Sequence, residues 1–139
     1  MQQLIDFAMN HLILVTAFAA VAGYLIFTLV QGDKGSVDPV AATELINHQQ
    51  AVVLDVRPLA DYQKGHIINA ISLPSSSFAS QISTLNKHKD KPIIVSCRSG
   101  AQSASACSQL RKAGFEQVYN LKGGILAWQS ANLPITRKK

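Results

Sequence analysis

Leu12 to Val30 (LILVTAFAAVAGYLIFTLV) runs for 19 residues without a charged side chain. A helix rises about 1.5 Å per residue, so this length nearly crosses a hydrocarbon core of about 30 Å. Leu4, Ile5, Phe7 and Met9 extend the apolar character upstream. The run is apolar on every face, which suits lipid better than the one-sided burial of a core helix. A cleaved signal peptide wants a positive segment first, and residues 1–11 hold no Lys or Arg. Ala20-Val-Ala22 mimics a cleavage site, but the apolar run continues eight residues past it. The expected organisation is an uncleaved single-pass transmembrane anchor over 1–31, a linker over 32–37, a folded domain over 38–136 and a basic tail over 137–139.

All 13 Lys and Arg follow the apolar run, and Asp6 is the one charged residue before it. The remainder carries net charge +6, with seven of the eight acids. This asymmetry favours the cytoplasmic side of the plasma (inner) membrane for the folded part. Two cysteines in about one hundred residues suit a reducing compartment better than a disulfide scaffold. The positive balance favours anionic lipid heads or small anions as partners. Nucleic acid is not expected as a partner: there is no basic and aromatic stripe, no finger spacing and no glycine-rich RNA motif. His11, His48 and His88 lack metal-ligand spacing, so no metal is expected.

Asp38-Pro39 opens a helix, with Ala41, Ala42, Leu45 and Ile46 at helical spacing. Ala51–Val56 reads as a buried strand, Ile67–Leu73 as a second and Pro92–Cys97 as a third. Helices are expected over Phe78–Leu85, Ser103–Ala113 and Ile125–Ser130, and a short strand over Val118–Leu121. Alternating strands and helices joined by short loops define an α/β fold with a parallel sheet. Sites in such sheets form beyond the carboxyl ends of the strands. Asp55, Arg57 and Cys97 all fall at such ends.

The third strand delivers Cys97 into Arg98-Ser99-Gly100-Ala101-Gln102-Ser103 and then a helix. A glycine-containing loop before a helix N-terminus aims backbone N–H groups at one point and adds partial positive charge there. A thiol held at that point ionises more readily than an ordinary cysteine. Ser99 and Ser103 can add hydroxyl donors, Gly100 permits close backbone approach, and Ser103 is a candidate N-cap.

The pieces together resemble a rhodanese-homology domain over roughly Val37 to Pro134. Asp55-Val-Arg57 closes the first core strand. Asp61-Tyr-Gln-Lys-Gly-His-Ile67, with Ala70, Ile71 and Pro74, is similar to the family's "GHI…A…P" stretch. Cys97 to Ser103 is similar to its active loop, and Gly123-Gly124, Trp128 and Leu133-Pro134 to its "GG…W…P" pattern. The resemblance implies a parallel sheet of about five strands flanked by helices. It also implies a catalytic Cys97 that carries sulfur as a persulfide, with Arg98, Ser99, Gly100, Ala101, Gln102 and Ser103 as substrate-binding loop. About five loop amides would stabilise the charged intermediate. The donor would be a small sulfur-containing anion or a protein persulfide, and no metal or organic cofactor is needed. Gln102 stands where many members have an arginine, so weaker use of thiosulfate is expected.

Other residues have plainer readings. Asp55 and Arg57 are expected as an ion pair that braces the loop. Cys107 is expected as core filling, Trp128 and Tyr62 as core or loop-packing aromatics, and His66 as a packing and hydrogen-bonding residue. Arg98 faces either an anion or solvent. The leading function is a membrane-tethered sulfurtransferase. The competing one is a non-enzymatic docking module for a membrane protein, on the same fold. Phosphatase chemistry would need a roomier loop and an arginine clamp.

Overall fold

The computed structural model describes residues 1–31 and 35–137. The sequence readings for residues 32–34 and 138–139 lie outside the described residues. The chain divides into two compact units, Met1–Lys34 and Gly35–Lys139.

The first unit holds α1 (Gln2–Asn10) and α2 (Leu12–Gln31). They break at His11, whose backbone departs from helical angles at φ −122°, ψ 40°. Leu12–Leu29 of α2 is long and apolar enough to cross a membrane, and none of it is buried within the protein.

The second unit begins with β1 (Ser36–Val37), α3 (Pro39–Gln49), β2 (Val52–Asp55), α4 (Leu59–Lys64), β3 (His66–Ile67) and β4 (Ile71–Ser72). It continues with α5 (Phe78–Gln81), a 3-10 segment (Ile82–His88), β5 (Ile93–Ser96), α6 (Ala101–Lys112), β6 (Val118–Leu121), α7 (Gly124–Ser130) and β7 (Ile135–Thr136). Five strands form one parallel sheet in the order β1-β6-β5-β2-β4. β3 and β7 pair antiparallel in a separate ribbon.

The capping of α3 follows its sequence. Pro39 occupies the first turn, and the Asp38 carboxylate accepts the Ala41 N–H at 2.7 Å. β2 and β5 run side by side from Val52↔Ile93 to Asp55↔Ser96. Their side chains alternate between the two faces of the sheet. Leu54, Val56, Ile93, Val95 and Cys97 face a cluster completed by Phe78, Ala106, Cys107, Leu110 and Phe115. Val53 and Ile94 face the opposite cluster, with Ala42, Tyr62, Ile125 and Trp128. Each buried Leu, Ile, Val or Phe among them contributes about 1.5–3 kcal/mol through removal from water. Cys97 therefore extends an in-out pattern set by the strand before it.

Three sequence expectations are corrected. Ser36-Val37, read as linker, is the edge strand β1, paired with Asn120 and Leu121 of β6. Ile67–Leu73, read as one strand, is two. Asn69 takes a left-handed conformation at φ 64°, and the Ala70 N–H closes a turn on the Ile67 carbonyl, so β3 and β4 belong to different sheets. The helix expected over Phe78–Leu85 becomes 3-10 from Ile82 onward.

Candidate active site

β5 ends at Ser96, and Cys97 is the next residue, buried with only 1% of its surface exposed. The chain then turns through Arg98 and Ser99 to Gly100, which takes φ +95°. That angle lets α6 begin at Ala101, two residues earlier than Ser103. Ser103 is therefore not the N-cap. It lies within the first turn, and Gly100 occupies the cap position with no side chain to accept the free helical N–H groups.

The Cys97 sulfur fills that role. The Gly100 N–H donates to it at 3.0 Å, and the Ser103 hydroxyl oxygen lies 3.4 Å from it. Burial pushes the thiol's pKa up. The Ser103 hydroxyl, together with the backbone N–H groups of Ser103, Ser99 and Gly100, more than offsets this, and the net pKa lies below the ordinary thiol value. These amides, of Ser99, Gly100 and Ser103, all belong to the loop and the first turn of α6 that the sequence singled out. Arg98, Ser99, Ala101 and Gln102 are exposed, and Arg98 has no ion-pair partner among the described residues.

The loop is held from behind by the start of α7. The Ile125 N–H donates to the Cys97 carbonyl at 2.8 Å and the Leu126 N–H to the Arg98 carbonyl at 3.3 Å. With their carbonyls bound on that side, the loop peptides keep their N–H groups for the sulfur. Gly124 permits this approach, since a Cβ there would strike the Cys97 carbonyl and lie 2.7 Å from the Arg98 carbonyl carbon. The sequence reading took Gly123-Gly124 only as a turn within a family pattern.

Asp55 and Arg57 form the expected buried ion pair. Arg57 Nη2 donates to Asp55 Oδ2 at 2.6 Å and Nε to Oδ1 at 2.9 Å. Arg57 Nη2 also donates to the Gly65 carbonyl at 2.8 Å, tying the end of β2 to the start of β3. The pair braces the strand neighbouring the loop, and its hydrogen bonds go to each other and to the Gly65 carbonyl, not to the sulfur. His66 is buried, stacks on Tyr62 at 3.6 Å between ring centres, and its Nδ1 meets the Tyr62 carbonyl at 2.8 Å, so that nitrogen carries the proton. Tyr62 donates in turn to the Ala70 carbonyl at 2.7 Å. Both are packing residues, as their sequence context suggested. Trp128 is buried, with its indole N–H on the Pro134 carbonyl at 3.0 Å.

Asn120 is the residue that sequence reasoning missed. Its side chain accepts from the Ser103 hydroxyl and donates to the Gly100 carbonyl at 2.9 Å. The available signal was an asparagine, a residue depleted in strands, inside the strand Val118–Leu121.

A three-layer domain with a parallel sheet, and a cysteine in an amide-lined turn where the central strand meets a helix, define a rhodanese-like protein. The chain belongs to the rhodanese-like domain family, whose model matches residues 38–131. Among relatives, it is 41% identical over 143 residues to the uncharacterised protein YibN of Escherichia coli K12, with both chains covered in full. It is 38% identical over 88 residues to the thiosulfate sulfurtransferase GlpE of Pseudoalteromonas translucida, covering 63% of this chain and 82% of that one. The structure resembles that of a rhodanese-related protein from Thermoplasma volcanium with a TM-score of 0.67 and 29% identity, covering 74% of this chain and 98% of that one. The rhodanese-like domain of an Anabaena protein gives the same TM-score at 30% identity, over 74% of this chain and 79% of the other.

Proposed function

We propose that this protein is a membrane-tethered sulfurtransferase that carries sulfane sulfur as a persulfide on Cys97. One observation carries the reading: the Cys97 sulfur accepts the Gly100 N–H at 3.0 Å and sits 3.4 Å from the Ser103 hydroxyl, at the mouth of α6. Donors fixed in this way stabilise a sulfur anion before any substrate arrives.

The Cys97 thiolate attacks the outer sulfur of a donor such as thiosulfate. The S–S bond of the donor breaks, and sulfite leaves with the bonding pair. An acceptor thiolate or cyanide then attacks the outer sulfur of the Cys97 persulfide, and the Cys97 thiolate is restored. This is two-step covalent catalysis. In this reading α2, apolar and long enough to cross a membrane, is the anchor, and the Lys/Arg asymmetry favours the cytoplasmic side for the domain. Tethering raises the local concentration of the domain near a membrane-protein partner. Gln102 is exposed and uncharged at the loop position where an arginine would clamp an anionic donor, so thiosulfate is a poorer donor than a persulfide.

The same Gln102 favours a second reading, a docking module without turnover. Intact mass spectrometry separates the two. Incubation with thiosulfate and with a low-molecular-weight persulfide is expected to add ~32 Da, one sulfur atom, to the wild type and nothing to Cys97→Ser. No adduct from either donor supports the docking module.

A further inference from the structure

We propose that Asn120 is a positioning residue of this site: it holds the Ser103 hydroxyl and the Gly100 carbonyl, and so keeps the Ser103 O–H and the Gly100 N–H aimed at the Cys97 sulfur. The inference rests on the reading of Cys97 as the reactive thiol. Asn120 stands on β6, in register with Ser36 of β1 and Val95 of β5, and its own N–H donates to the Gly35 carbonyl at 2.6 Å. A side chain on a strand flanked on both sides is a rigid support for a loop.

The hydroxyl of Ser103 has one proton and three neighbours: the Gly100 carbonyl at 3.1 Å, the Asn120 Oδ1 and the Cys97 sulfur at 3.4 Å. With Cys97 protonated, the S–H donates to the Ser103 oxygen, and the Ser103 proton goes to Asn120. With Cys97 ionised, the Ser103 proton turns to the sulfur. Asn120 then remains anchored through its Nδ2–H on the Gly100 carbonyl, and the Ser103 oxygen has not moved. Asn120 thus gives the hydroxyl a partner in one protonation state and releases it in the other. It fixes the peptide that follows Gly100 in both.

The ionisable groups on and next to the elements around Cys97 are Cys107, Arg111 and Lys112 on α6, Asp55 at the end of β2 and Arg57 after it, Arg98 in the loop, Tyr119 on β6 and Lys122 after it. The variants below leave all of them in place. The test measures the rate of Cys97 alkylation by iodoacetamide against pH in the full-length protein, with thermal midpoints recorded in parallel. Asn120→Ala is expected to slow alkylation at pH 7 by roughly 3–10-fold, with the midpoint of the profile moved to higher pH, because the unheld loop no longer presents the Ser103 hydroxyl and the Gly100 N–H squarely to the thiolate. Asn120→Asp keeps the shape but sets a carboxylate against the Gly100 carbonyl and near the sulfur, so it shifts the midpoint further upward. In Ser103→Ala/Asn120→Ala the combined loss is smaller than the product of the single losses, because both act through one hydroxyl. A folded Asn120→Ala with the wild-type midpoint overturns the proposal, as do strictly multiplicative losses. If Asn120→Ala does not fold, an Asn120→Asp profile superimposed on the wild type overturns it equally. Alkylation is independent of sulfur transfer, so a wild type that takes up no sulfur refutes the proposed function and leaves this result standing.

Discussion

Two cysteines share one core cluster and differ in what faces them. Cys97 meets the Ser103 hydroxyl and three amides, which overcome its burial and draw its pKa down. Cys107 has mainly burial, and its pKa is pushed up to about 11 despite the attraction of Arg111. Cys107 lies in the core, as its sequence context suggested; Cys97, expected as a nucleophile, has a pKa moved in the direction that such a role needs. The Cys107 shift has a stability consequence. The unfolded chain releases this proton near 9.0, and the folded chain holds it to about 11. Between those values the unfolded state binds fewer protons, so stability falls as pH rises, by at most about 1.4 kcal/mol per pH unit. Urea unfolding from about pH 8 to about pH 10.5 is expected to show this slope reduced in Cys107→Ala. Equal slopes in the two proteins contradict it. Arg57→Ala strands the buried Asp55 carboxylate and frees the Gly65 carbonyl, so a loss of about 3–5 kcal/mol is expected in the same unfolding experiment.

At the scale of elements, the site is the meeting of β5, α6, β6 and α7. β5 aims the sulfur, α6 supplies donors, β6 supplies Asn120, and α7 binds the loop carbonyls. Gly124→Ala tests the last contact. The new Cβ collides with the Cys97 carbonyl at a position already at φ +59°. Strain of about 1–3 kcal/mol is expected, together with a displaced loop, seen as a lower thermal midpoint and slower Cys97 alkylation. A variant as stable and as reactive as the wild type contradicts that role for α7. The central strands were legible because Val52–Asp55 and Ile93–Ser96 are short apolar runs that a parallel sheet buries on both faces. β1 and β7 were not, since two residues carry no periodicity. The break between β3 and β4 hid in Asn69, whose left-handed angle depends on the turn it closes. Cys97 and its loop were legible because strand, glycine and helix are consecutive in sequence. Asn120 and Gly124 were hidden because their partners lie about 20 residues or more away in the chain.

At the scale of the whole molecule, a folded rhodanese-like domain follows an apolar helix of membrane-crossing length. If that helix is the anchor, the protein stays in the membrane fraction through a high-pH carbonate wash. Deletion of residues 1–34 then moves the domain to the soluble fraction, because nearly 20 apolar residues are what hold it. Release of the full-length chain by carbonate contradicts anchoring. The central claim concerns the sulfur: converging N–H and O–H donors draw the Cys97 pKa below that of an ordinary thiol. It is tested most directly by the pH profile of Cys97 alkylation in the wild-type protein, read beside free cysteine. The account predicts a midpoint below that of free cysteine; a midpoint at or above it contradicts the account.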